Sequence, residues 1–163
     1  MKRDMMYLIA GLAALFLQTT VLSHLPVKPD LVLILVVCLG LSQEAFSGVV
    51  LAFMLGCLTD VFAGSTPGFF ALTKTIVFLL AYVARGRLFF DDSLARAGLV
   101  FIAAFMEVSI FLFFVNLRSA TAIPVASMGR LALGSVLLTT LAAPFCFPLL
   151  TRTGIVLWEQ GER

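Results

Sequence analysis

Apolar residues along this chain fall into about six blocks, each near the length of a bilayer crossing and each bounded by polar, proline or glycine residues. The blocks run from Met5 to Leu22, Leu31 to Ser47, Gly48 to Ala63, Gly68 to Ala84, Ala97 to Leu117 and Leu131 to Leu150. Each predicts a membrane-spanning helix. Pro26 and Pro29 separate the first two, because a proline lacks an amide donor and biases its predecessor away from helix. Asp30 then stands where it can cap the second helix. Ser42, Gln43 and Glu44 turn that helix polar near its end, and Gly48 opens the third. The third is short, about 24 Å, so it either borrows Ala45 to Ser47 or sits behind neighbours. Gly64-Ser65-Thr66-Pro67-Gly68 reads as a turn, which forces the third and fourth helices to be antiparallel neighbours. Pro144 and Pro148 interrupt the sixth and predict kinked or loosened last turns.

Composition fixes the class. The chain has 163 residues, 61% hydrophobic and 12% charged, with a mean hydropathy of +1.11, which excludes a soluble globular domain. The fold class expected is all-α, a polytopic transmembrane bundle forming one domain over residues 1–163. A five-span alternative merges the second and third blocks or loses the sixth. The first block follows Lys2 and Arg3 in the manner of a signal peptide, but Thr19 to His24 lacks a small-x-small cleavage site, so a retained helix is expected. With a cytoplasmic N-terminus and six spans, Lys2, Arg3, Arg85, Arg87, Arg96, Arg152 and Arg163 lie inside, against Lys28, Arg118 and Arg130 outside. Both termini are then cytoplasmic. The net charge of +2 is scattered, which argues against a nucleic-acid partner. Cys38, Cys57 and Cys146 sit unpaired in apolar runs and read as small core residues.

Candidate chemistry is confined to the membrane. Gly48, Ala52, Gly56, Asp60 and Gly64 recur every four residues, placing small side chains and one acid on a single stripe of the third helix. Asp60 and Lys74 straddle the following turn at similar depths and form a plausible ion pair, while Glu107 lies in the middle of the fifth block with Lys74 as its nearest intramembrane cation. One reading makes Asp60, Lys74 and Glu107 a proton, ion or substrate site. The other, which is preferred because no relay of neighbours accompanies them, makes them charges that fix helix register and neutralise each other. A third lets a partner's helix satisfy Glu107. The small-residue stripe, and a second one at Ala10 and Ala14, fits packing inside the bundle or against another chain. The single histidine, His24, has no triad company, and the chain carries no metal-ligand spacing and no phosphate-binding loop, so no cofactor and no enzyme activity are expected. Arg85, Arg87 and Arg96, with Asp91 and Asp92 between them, read as an anchor at lipid head groups.

The run Pro29-Asp30-Leu31, then Gly48 through Gly56-Cys57-Leu58-Thr59-Asp60-Val61-Phe62-Ala63-Gly64, then Pro67-Gly68 and an aromatic, resembles the MreD family of bacterial rod-shape-determining membrane proteins. Ala52 stands where the family's Gly-Phe-x-x-Gly-Leu-x-x-Asp pattern has its first glycine, and Cys57 where leucine is usual. The resemblance implies a non-enzymatic part of the peptidoglycan elongation machinery in the bacterial inner membrane. Its partners would be MreC, directly, and a complex of RodA, a class B penicillin-binding transpeptidase, RodZ and MreB, together with membrane lipid. The family also resembles, in architecture, the substrate-binding subunits of energy-coupling-factor transporters. A small-molecule-binding transport subunit, with a pocket between the first and sixth helices, is therefore the alternative.

Overall fold

The computed structural model describes residues 2–20, 28–63, 68–86, 93–118 and 125–152. They form α1 (Lys2–Thr20), α2 (Leu31–Ser42), α3 (Ala45–Ala63), α4 (Phe69–Arg85), α5 (Ser93–Arg118) and α6 (Val125–Arg152), with no strand among the described residues. By length and composition α3, Leu94–Leu117 of α5 and Gly129–Leu150 of α6 can each cross a membrane, and Asp4–Thr20 and Leu31–Ser42 are shorter apolar helices. Three boundaries correct the pattern-based ones. The second helix ends at Ser42 rather than Ser47, because Gln43 turns to an extended backbone (φ −102°, ψ 165°). The third accordingly borrows Ala45 to Ser47, so that Gly48 lies inside it rather than opening it. The sixth runs unbroken through Pro144 and Pro148, begins at Val125, and so is longer at both ends than expected. A proline is tolerated inside such a helix where neighbours or side-chain hydroxyls take over the backbone groups it frees.

Helix α2 is the axis of the bundle. Every residue from Val32 to Leu41 is buried, as the uniformly apolar sequence VLILVVCLGL requires of a helix with no polar face. It touches every other helix. Its 12 residues make a rod of about 18 Å, well short of the roughly 30 Å of hydrocarbon. At least one end must therefore stop below the membrane surface, where the first turn's amides need acceptors. Asp30 supplies one, its Oδ1 accepting the Leu33 amide at 2.9 Å. At the other end Gln43 donates its amide to Leu39 O, and Arg85 of α4 donates to Gln43 O.

Around this axis α3 and α4 form a close hairpin and α5 pairs with α6. Glycine sets the hairpin's spacing. A Cβ on Gly56 would lie 2.6 Å from Phe70 O and 2.8 Å from Ala71 N, which are backbone atoms that cannot swing aside. The stripe Gly48, Ala52, Gly56 and Asp60 is thus buried against α4, which settles its direction as internal. Gly40 performs the same task between α2 and α4, where an added Cβ would stand 2.9 Å from Phe78 O. Gly56→Ala is expected to lower stability by about 1–3 kcal/mol through overpacking. Gly98→Ala, with nothing within 4 Å of the added Cβ, is expected to raise it by about 0.5–1 kcal/mol. Thermal unfolding of both variants in one detergent checks the contrast.

Candidate functional site

Three elements converge on one ammonium group. Lys74, on the buried face of α4, is fully buried. Its Nζ lies 2.9 Å from Glu107 Oε1 and 3.0 Å from Oε2 on α5, and it donates a short hydrogen bond to Asp30 Oδ2 at the head of α2. Asp30 divides its carboxylate, Oδ1 capping α2 and Oδ2 taking the lysine. The Asp30 amide donates to Thr139 Oγ1 of α6 at 2.9 Å, and Thr139 donates in turn to Ser135 O. Ser135 donates to the Lys28 carbonyl at 2.7 Å. The chain from Lys28 to Asp30 is thereby pinned along α6, with Pro29 buried and Thr139 lying about 20 Å along that helix from Val125. One cluster of side chains therefore ties α2, α4, α5 and α6 together.

The energetics favour a structural duty for this cluster. An ammonium or a carboxylate is costly to bury alone, and each becomes tolerable here only through the other. The cation is shared between two acids on different helices, so removing any one member strands the others. The rim adds little, since the Phe70 ring centroid is 6.0 Å from Lys74 Nζ, at the outer limit of a cation–π contact.

Asp60 has a different task from the one its position in the sequence suggests. The expected pairing of Asp60 with Lys74 gives way to two separate arrangements, because Lys74 turns to α2 and α5. The Asp60 carboxylate accepts the amides of Gly68 (3.0 Å), Phe70 (2.9 Å) and Ala71 (3.1 Å). Those amides open α4 and have no intrahelical acceptor. An acid at a helix N-terminus also meets the positive end of the macrodipole. Asp60 is thus a cap supplied from the preceding helix. Gly68 is the position where the chain needs a left-handed backbone, with φ +89°. Gly64 and Pro67 lie outside the described residues, as does His24.

Beside the charged cluster lies a cavity of about 380 Å³. Asp30, Glu107 and Thr139 form its polar wall, Phe70, Phe111 and Leu131 belong to its apolar wall, and Gln18 and Lys28 also line it. It sits where α1, α4, α5 and α6 surround the start of α2, not between the first and sixth helices alone. Sequence reasoning did not single out Gln18, Ser135 or Thr139. A hydroxyl pair at i and i+4 on an apolar helix was the available signal for the last two. Among the described residues no group of three His, Cys, Asp or Glu side chains is placed to hold a metal ion.

A family model described as rod shape-determining protein MreD matches residues 4–152. No curated protein and no solved structure matches the chain.

Proposed function

Since this chain belongs to the MreD family of rod shape-determining membrane proteins, we propose that it is a non-enzymatic membrane subunit that binds MreC directly and scaffolds the peptidoglycan elongation complex. That complex would contain RodA, a class B penicillin-binding transpeptidase, RodZ and MreB. Its place would be the bacterial inner membrane, as a single multi-pass domain with both termini cytoplasmic. The observation that carries the reading is the division of labour in the bundle. Lys74, Asp30 and Glu107 are engaged with one another inside, while large apolar side chains such as Phe105, Phe113, Leu141 and Phe145 of α5 and α6 stand exposed. Outward apolar faces of this kind offer lipid or a partner helix a surface for dispersion contacts.

The test is recovery of the tagged chain from gently solubilised bacterial membranes, followed by mass spectrometry. MreC and the wall-synthesis proteins are expected. Recovery of two ABC-type ATPases with a coupling membrane subunit, and no MreC, would replace this reading with the transport one.

A further inference from the structure

The cavity beside the cluster is short of hydrogen-bond donors. Gln18 Oε1 is buried with no hydrogen-bond partner among the described residues, while Glu107, 5% exposed, keeps both carboxylate oxygens within 3.0 Å of Lys74 Nζ. Both residues line the cavity. The cluster's charges are also unequal, with the carboxylates of half-buried Asp30 and buried Glu107 set against the one ammonium of Lys74. Lys28, the other cation on the lining, is exposed. Its carbonyl is held by Ser135, at the edge of the site. The remaining lining is largely aromatic and aliphatic, and the volume falls within the range of small-molecule sites. A buried acceptor without a donor costs free energy that a donating ligand restores.

We propose that this cavity binds an amphipathic molecule with a protonated primary amine and an apolar body, the amine donating to Glu107 and Gln18 and the body lying against Phe70, Phe111 and Leu131. An ethanolamine phospholipid and a free amphipathic amine share that chemistry. The proposal does not rest on the MreC reading.

The test uses the purified full chain in a mild detergent, with dodecylamine as the probe and dodecanol and dodecanoate as controls of equal chain length. A saturable rise in melting temperature is expected with dodecylamine alone. Its half-saturation should weaken at least tenfold in Ala132→Phe, which fills the cavity and leaves every charge in place, and in Gln18→Met, which removes the unpartnered acceptor without touching the charge cluster and serves if the first variant does not fold. Native mass spectrometry of the same preparation identifies the source. Retained ethanolamine phospholipid, lost in the variant, assigns a lipid, and a dodecylamine response with no retained lipid assigns a free amine. Equal responses to the three probes, an undiminished response in both variants, or neither a response nor a retained amine lipid would overturn the proposal.

Discussion

Lys74→Met is expected to be the most damaging single substitution in the described bundle, lowering stability by about 3–5 kcal/mol, because it leaves buried acids without their counter-ion. Methionine fills most of the lysine's volume, so the loss is electrostatic rather than a cavity effect. The neutral triple variant, with Asp30→Asn, Lys74→Met and Glu107→Gln together, is expected to be far more stable than the single one. Asparagine keeps an acceptor for the Leu33 amide, and the stranded charges are gone. Groups that share one network give non-additive losses of this kind. Thermal or denaturant unfolding in detergent measures both. A triple variant no more stable than Lys74→Met would show that the cluster's worth lies in something other than mutual neutralisation.

Asp60→Ala carries the second-largest expected loss, about 3 kcal/mol, since the amides of Gly68, Phe70 and Ala71 lose a charged acceptor. The damage should begin at the α3–α4 turn. Hydrogen exchange is expected to rise first at the start of α4 while the middle of α2 stays protected. Asp60→Asn, which retains one acceptor oxygen, should recover part of the loss. If Asp60→Ala instead left the turn protected and opened the Lys74 cluster, the separation of the two acids' roles would be wrong.

Much of the bundle is legible in the sequence because its punctuation is covalent. Proline at Pro29 and the glycines around the α3–α4 turn act locally, and the periodicity of Gly48, Ala52 and Gly56 is one helix's own property. The end of α2 was harder to place. The extended backbone at Gln43 lies within a stretch whose side chains, Gln43-Glu44-Ala45, suit a helix as well as a break. The partner of Lys74 was not legible in full. Glu107 stood out as an acid in mid-span, but Asp30 satisfied the grammar of an N-cap and left no sign of its second task. Only the shortness of α2 brings that cap down beside Lys74, and a helix length fixes depth only after packing is known. Asp60 misled for the same reason. Equal distance from a turn places two residues at one level, yet it does not say which way each faces. Gly11 and Gly40, both in close contact with neighbouring helices, were indistinguishable from incidental glycines without the helices they meet.

On the proposed reading, the Asp30–Lys74–Glu107 cluster holds the bundle in the shape that partners bind, without itself touching them. The most direct test is recovery of MreC by the tagged wild type, by Lys74→Met and by the neutral triple variant, expressed in rod-shaped cells lacking the native protein, with stability measured on the same preparations. MreC recovery and rod shape are expected to fall with stability in Lys74→Met and to return with it in the triple variant. A triple variant that is stable but recovers no MreC and leaves the cells round would contradict the account, and would place the charges themselves in the working surface.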